Sequence, residues 1–116
     1  MGIVNKLGKV GVENVAVSAI TIAELEFGVA GCKQPEETKI KLYEFLSPFT
    51  IIDFDVNAAQ YYGKIRNELK EMGQIIGPMD MLIASISLAQ KMTLVTNNVK
   101  EFARVPELKI ENWVNQ

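Results

Sequence analysis

Short β-branched and apolar runs alternate with longer helical segments along the whole chain, and this alternation limits the possible folds more than any other feature. Four runs have the length and composition of strands, at residues 15–18, 50–54, 92–96 and 108–113. The segments between them carry helix signals. Strands that alternate with helices form parallel sheets with crossover helices. The sequence therefore predicts a single α/β domain over residues 1–116, built as an α/β sandwich around a parallel sheet.

Capping residues and prolines mark the predicted helices. Thr21 and Glu24 have the Thr-x-x-Glu spacing of a capping box, which predicts a helix that starts there and ends near residues 28–31. Three further helices are predicted to start at a proline or at an aspartate cap: Pro35, Asp55 and Gly77-Pro78. The third of these four helices carries an apolar stripe that is predicted to face a core or a dimer partner: Ala58, Tyr62, Ile65, Leu69 and Met72. The basic side chains of the same helix are interpreted as its solvated face: Lys64, Arg66 and Lys70.

The chain contains no histidine and one cysteine, Cys32. These counts exclude a histidine general base, a Ser-His-Asp or Cys-His nucleophile, a His-containing zinc site and an internal disulfide. The 12 basic and 14 acidic residues give a net charge of −2, so nucleic-acid binding would need bound cations or a few placed lysines. No apolar run approaches the ~20 residues of a membrane span, and the N-terminus lacks a secretory signal. We therefore expect a soluble cytoplasmic protein.

Polar side chains follow the predicted strands at the edge where open parallel sheets bind ligands. Glu24 follows the first strand, Asp80 lies in the first turn of a later helix, and Asn98 and Glu101 follow the third strand. Their carboxylate and amide oxygens suit Mg²⁺, which keeps several waters and lowers the pKa of a bound one. That chemistry needs no histidine, so it is compatible with this composition.

Each of these residues also has a purely structural interpretation, and spacing alone favours that interpretation for each acid. Glu24 is then the capping partner of Thr21, and Asp80 complements a helix dipole. Glu101 is then an exposed surface acid, and Asn98 caps a short helix. The sequence contains no P-loop, no Gly-x-Gly-x-x-Gly and no Cys-x-x-Cys motif, which disfavours a P-loop nucleotide-binding protein.

Several segments, taken in order, resemble the motifs of PIN-domain toxins of the VapC type. The resemblance is carried by SAITIAELEFG at residues 18–28, GPMDMLIA at 77–84, LVTNN at 94–98 with Glu101-Phe102 and Val105-Pro106, and IENW at 110–113. It implies a PIN-like three-layer α/β/α sandwich with a parallel sheet. It also implies a Mg²⁺-dependent endoribonuclease, with Mn²⁺ as the alternative ion. Such an enzyme is the toxin of a toxin–antitoxin pair, with RNA as substrate, a cognate antitoxin and a second copy of itself as partners, and no membrane.

The resemblance also implies roles for individual residues. Glu24 and Asp80 match acids that are catalytic and bind the metal ion. Asn98 and Glu101 complete the implied metal ligands, and Thr96 supports the site. Asn98 departs from the family, because many members have an aspartate at that position. Its amide oxygen can still bind a hard metal ion, but it carries no charge.

The start of the chain departs further from the family. PIN-domain toxins open with a strand that ends in Leu-Asp-Thr-Asn, and its aspartate is a principal metal ligand. Nothing here matches it, since the first aspartate, Asp53, comes too late in the order of motifs. Residues 3–11 resemble the end of the helix that follows the opening strand. We therefore expect a domain without its first central strand and without one metal ligand.

That expectation has two consequences. Two inner strands would lack a neighbour, at a cost of about 1–3 kcal/mol for each unpaired buried backbone group, and metal affinity would fall. One alternative to an active nuclease is therefore a catalytically impaired relative that binds an antitoxin or a dimer partner without cleaving RNA. Another is completion of the sheet by a strand from a second chain.

Overall fold

The computed structural model describes residues 2–113, with side chains from Lys6 onwards. Its helices are α1 (Gly2–Val10), α2 (Ala19–Ala30), α3 (Pro35–Leu46), α4 (Val56–Glu71), α5 (Pro78–Ala89) and α6 (Val99–Phe102). Its strands are β1 (Ala16–Ser18), β2 (Thr50–Ile52), β3 (Leu94–Val95) and β4 (Ile110–Glu111). The predicted alternation and the α/β class are confirmed. Across this described part of the chain, no helix has the length and hydropathy needed to cross a membrane.

The strands pair in parallel, as the alternation predicts, but among the described residues they form two separate pairs. β1 pairs with β2, with Val17 opposite Ile51. β3 pairs with β4, with Leu94 opposite Ile110. Each strand is shorter than its predicted run, because a ladder extends only over residues that face a neighbouring strand.

A cleft of about 500 Å³ borders both strand pairs. Residues of β1 and β3 line it, together with Ile83 and Ile86 of α5. Val95, which lies on β3 at this cleft, is 42% exposed. Within the described part of the chain, β1 and β3 each pair on one side only.

The main core lies between α4 and α5 and continues under α6. Ile65 and Leu69 of α4 are 2% and 0% exposed, and Ala84 of α5 is completely buried. Further members of this cluster come from α5 and from the segments before α5 and around α6: Ile76, Met81, Ile83, Phe102 and Val105. The buried hydroxyl of Ser85 donates a hydrogen bond to the Met81 carbonyl at 2.6 Å. The Ser85 side chain is therefore not an unpaired polar group in this core.

The predicted apolar stripe of α4 faces this core over most of its length. Ala58 is buried, and Tyr62 packs half-buried against the cluster. The prediction is wrong for Met72, which is 51% exposed. Met72 follows the last helical residue as the C-cap, and Gly73 adopts a φ of 66° next to it. The chain therefore turns away before the helical period can bring Met72 back to the core.

Ser18, rather than Thr21, caps α2. The Ser18 side-chain oxygen accepts a hydrogen bond from the Thr21 backbone N–H at 3.0 Å, so the helix starts directly after Ser18. The predicted capping box of Thr21 with Glu24 is therefore wrong. The aspartate cap of α4 is confirmed, since Asp55 Oδ1 accepts from the Ala58 backbone N–H at 2.9 Å.

Candidate active site

Asp80, Asn98 and Glu101 meet at the start of α5. Asp80 is the third residue of that helix, and Asn98 and Glu101 belong to the short helix α6 and its cap, after β3. Asn98 Nδ2 donates to Asp80 Oδ2 at 3.5 Å. When Asp80 is protonated, its carboxyl group donates a hydrogen bond to the Glu101 carboxylate. Side chains from two separate segments of the sequence thus form one polar cluster.

The Glu101 side chain is held by the backbone N–H at the N-cap of α5. The Gly77 N–H donates to Glu101 Oε1 at 3.2 Å. Gly77 is the N-cap of α5 and has no capping side chain, so a carboxylate from α6 serves the positive end of this helix. Glu101 is half-buried and bonded, which does not agree with its interpretation as an exposed surface acid.

Thr96 fixes the turn that presents Asn98. Thr96 Oγ1 accepts a hydrogen bond from the Asn98 N–H at 2.9 Å, and the Thr96 N–H donates to the Glu111 carbonyl at 3.0 Å. The turn is thereby tied to β4. Asn98 does occupy the cap position of α6, but its side chain makes no capping hydrogen bond and extends to Asp80 instead.

Burial and neighbouring acids raise the pKa of Asp80 to about 7. Partial burial is the largest cause, followed by the hydrogen bond to Glu101 and then by the negative charges of Glu101 and Glu24. The pKa of Glu101 is lowered, first by the hydrogen bond from Asp80 and next by the Gly77 N–H. In slightly acidic solution, Asp80 therefore carries a proton that it donates to the Glu101 carboxylate.

Glu24 acts on Asp80 through its charge. It lies exposed on α2, the helix that follows β1, and its carboxylate contributes to the raised pKa of Asp80. Because Ser18 caps α2, the interpretation of Glu24 as a capping partner does not apply. Asn98 and Glu101 thus contact Asp80 directly, whereas Glu24 influences it only through its charge and does not form a three-carboxylate group with Asp80 and Glu101 in the described part of the chain.

The donor set fits a hard divalent cation. Asp80, Glu101 and Asn98 offer two carboxylates and an amide, and Mg²⁺ needs only one or two carboxylates because it keeps several waters. After burial and the hydrogen bond to Glu101, the negative charges of Glu101 and Glu24 also raise the pKa of Asp80, and a bound cation would offset that repulsion. No three acidic or cysteine side chains among the described residues lie close enough to enclose a metal ion by themselves. The arrangement therefore suits an open site with solvent ligands.

Sequence reasoning missed two groups that hold Glu101. The sequence identifies Gly77 only as a helix start, although a helix N-terminus without a capping side chain needs an acceptor from elsewhere in the fold. Arg104 also lowers the pKa of Glu101, and its Nη1 donates to the Ile75 carbonyl at 3.1 Å. The available signal for Arg104 is weak: it is one of two arginines in the chain and lies three residues after Glu101.

Known proteins share both sequence and fold with this chain. A match to the PIN domain covers residues 2–108. Ribonuclease VapC2 of Rickettsia felis is 50% identical over 99 residues, which are 85% of this chain and 74% of that protein. The tRNA(fMet)-specific endonuclease VapC of Salmonella typhimurium is 36% identical over 99 residues, which are 85% of this chain and 75% of that protein. A crystal structure of VapBC2 from Rickettsia felis bound to a DNA fragment from their promoter has a TM-score of 0.89 at 48% identity, over 95% of this chain and 84% of that one.

Proposed function

This chain belongs to the VapC ribonucleases of the PIN-domain family, and we propose that Asp80 and the groups around it form the site at which it cleaves RNA with a divalent metal ion. Family membership makes the chain an endoribonuclease of the toxin–antitoxin type. The observation that carries the site assignment is the contact of Asp80 with Asn98 and Glu101. That contact joins two distant motifs and leaves oxygen donors side by side.

Asp80, Glu101 and Asn98 would hold the metal ion, with Glu24 adding negative charge at the periphery. PIN-domain nucleases depend on a divalent metal ion. The oxygen donors of this chain favour Mg²⁺, with Mn²⁺ as the alternative. When bound, such an ion supplies a water of lowered pKa and neutralises charge on the phosphate.

Asp80 and Glu101 differ in protonation although both are carboxyl groups. With a pKa of about 7, Asp80 can take up or release a proton near neutral pH. Glu101 stays ionised because the Asp80 hydrogen bond and the Gly77 N–H both stabilise its charge. Asp80 must lose its proton before it can act as a metal ligand, so we expect metal affinity to fall as the pH drops below 7.

Cleavage of RNA by the purified chain tests the proposal. Unfractionated transfer RNA is incubated with the protein and Mg²⁺, and with excess chelator in a parallel sample. We expect cleavage that requires the metal ion and that Asp80→Asn slows by about 10²-fold or more. Asp53→Asn is the matched control, because Asp53 is an exposed aspartate outside the candidate site. Cleavage that survives Asp80→Asn would refute the site, although it would leave the family unchanged.

A second candidate function is a member that binds partners without cleaving RNA. The observation that favours it is the open donor set, since no three acidic side chains in the described part of the chain enclose a metal position. Calorimetric titration with Mg²⁺ separates the two candidates. A heat of Mg²⁺ binding that is present in the wild-type protein and lost in Asp80→Asn supports the nuclease. A wild-type protein with neither Mg²⁺ heat nor cleavage supports the binding-only candidate.

We also propose that α2 and α3 contact the protein partners, which are a cognate antitoxin and a second copy of the chain. Phe27 of α2 is 84% exposed, and Ile40 and Phe45 of α3 are 62% and 60% exposed. Exposed apolar side chains of this size are typical of protein interfaces. Co-expression with the antitoxin followed by size-exclusion chromatography tests the proposal, because Phe27→Ser should weaken the complex without changing the melting temperature of the chain alone.

A further inference from the structure

A cleft at the start of α5, distinct from the one beside the strand pairs, has basic residues on its border. Its volume is about 490 Å³, and it is lined by Arg66, Lys70, Ile75, Ile76, Pro78 and Met81. Ile76 and Met81 are each 3% exposed and give the cleft an apolar floor. Arg66 and Lys70 are exposed and lie one turn apart on α4. Their interpretation as a merely solvated face is incomplete, because both border a concavity.

Arg66 is positioned by its neighbours on the surface. Its Nη1 donates to the Tyr62 hydroxyl at 2.9 Å, and its guanidinium carbon lies 5.9 Å from the centre of the Tyr62 ring. Tyr62 in turn packs edge-on against Phe54, with ring centres 6.3 Å apart. A guanidinium has five N–H donors, so this bond leaves others for an anion. A side chain that is already ordered loses less entropy when it binds a ligand.

The second arginine of the chain reaches the same segment. Arg104 Nη1 bonds to the carbonyl of Ile75, which also lines the cleft. Pro78 at the border of the cleft is two residues from Asp80, a separation of at most about 7 Å along the backbone. Because the chain has a net charge of −2, an RNA backbone gains little from overall charge and depends on local cations.

We propose that Arg66 and Lys70 form a subsite that binds a phosphate of the RNA substrate beside the cleavage site. The sugar or base of that nucleotide lies over the apolar floor made by Ile76 and Met81. The subsite orients the substrate and takes no part in bond breaking. This inference rests on the proposed function, since the ligand is the RNA that Asp80 and its neighbours cleave.

The double variant Arg66→Gln/Lys70→Gln tests the subsite. Binding of a labelled single-stranded RNA is followed by fluorescence anisotropy over a range of salt concentrations, in the Asp80→Asn background, so that cleavage does not interfere. We expect affinity to fall about tenfold and the slope of log affinity against log salt to become shallower by about 0.7, the value for one lost phosphate contact on a single strand. With Asp80 intact, KM for RNA should rise by a similar factor while kcat stays within about twofold.

Three further variants make the result specific. Lys91→Gln/Lys109→Gln removes the same charge from exposed positions outside the cleft and outside α2 and α3, and should leave affinity and slope within about twofold of the parent. Lys70→Arg keeps the cation and should bind like the parent. Tyr62→Phe removes only the hydrogen bond that positions Arg66 and should have a smaller effect than the double variant. Circular dichroism verifies that each variant is folded.

The outcomes separate this inference from the proposed function. If RNA is cleaved and the Arg66/Lys70 variant binds and turns over RNA like the Lys91/Lys109 control, the subsite is refuted and the nuclease stands. If RNA is bound but not cleaved, and binding depends on Arg66 and Lys70, the subsite stands and the nuclease proposal fails. A parent protein that neither binds nor cleaves RNA overturns both.

Discussion

The α4–α5 pair and the strand pairs contain similar apolar residues but bury them to very different extents. Leu69 of α4 and Ala84 of α5 are completely buried, whereas Ile51 of β2 and Val95 of β3 remain 47% and 42% exposed. The difference comes from neighbours rather than from residue type. The two helices pack directly against each other, while the strands have one pairing partner each in the described residues. Burial in this domain is therefore decided by tertiary contacts that the composition of a segment does not specify.

The candidate site lies on the border between these two regions. Asp80 belongs to α5, whose remaining turns are the most buried part of the structure, whereas Asn98 and Glu101 follow β3 on the less buried side. Stability should be highest around α5 and lower around β3. One half of the site is therefore held by the core, and the other half depends on the turn at Thr96.

The largest difference between the regions should appear when a core side chain is removed. Leu69→Ala should lower the free energy of unfolding by about 3 kcal/mol, because it leaves a cavity in a completely buried position. Urea unfolding measures the change. A loss below about 1 kcal/mol would mean that α4 and α5 are not the stabilising unit of the domain.

Local features such as helix starts could be predicted well from the sequence, whereas contacts between distant segments could not. Pro35 and Asp55 mark helix starts by their own chemistry, and both predictions are confirmed. The capping box failed because Ser18 caps the helix one turn earlier, which makes Thr21 its third residue, and spacing alone cannot rank two hydroxyl residues. The division of the described strands into two pairs did not follow from the alternation, which predicts parallel pairing but not which strands are neighbours. The Gly77 donor that holds Glu101 arises from a contact across 24 residues, which no local pattern encodes.

Helix caps provide the second comparison, with a smaller expected effect. Asp55→Ala removes the cap of α4 and should cost about 1 kcal/mol of global stability, because α4 belongs to the core. Ser18→Ala removes the cap of α2, in which Val29 is the one buried residue of the described helix. Its loss should therefore appear as faster amide hydrogen exchange in the first turn of α2, with little change in global stability. Equal global losses in the two variants would show that the regions unfold as one unit.

A strand substitution provides the third comparison. Val95→Thr keeps the β-branched shape on β3 and changes only the chemistry of a side chain that is already 42% exposed. It should change the free energy of unfolding by less than about 0.5 kcal/mol, since little apolar area is lost from the interior. A large loss in the urea experiment would mean that the cleft beside β3 is closed in solution.

The smallest effect should be the pH dependence of stability that originates at Asp80. Its pKa is raised from an ordinary 3.8 to about 7, so the folded state binds this proton more tightly than the unfolded chain does. The resulting stability is complete below the ordinary pKa and is lost as the pH rises through about 7. The lowered pKa of Glu101 acts in the opposite direction, but its contribution changes only in more acidic solution.

Thermal unfolding of the metal-free protein between pH 6 and 8, compared with that of Asp80→Asn, therefore tests the contribution of Asp80. The chain has no histidine, which is the usual source of titration in this window. The melting temperature should fall slightly from pH 6 to pH 8, by the equivalent of a few tenths of a kcal/mol, because solvent screens a partly exposed group. Asp80→Asn should remove this slope, whereas Asp53→Asn should keep it. Mg²⁺ should raise the melting temperature more at pH 8 than at pH 6, because it competes with the proton on Asp80. A slope that persists in Asp80→Asn would show that the titrating group is not Asp80. The proposed proton between Asp80 of α5 and Glu101 after β3 would then be refuted.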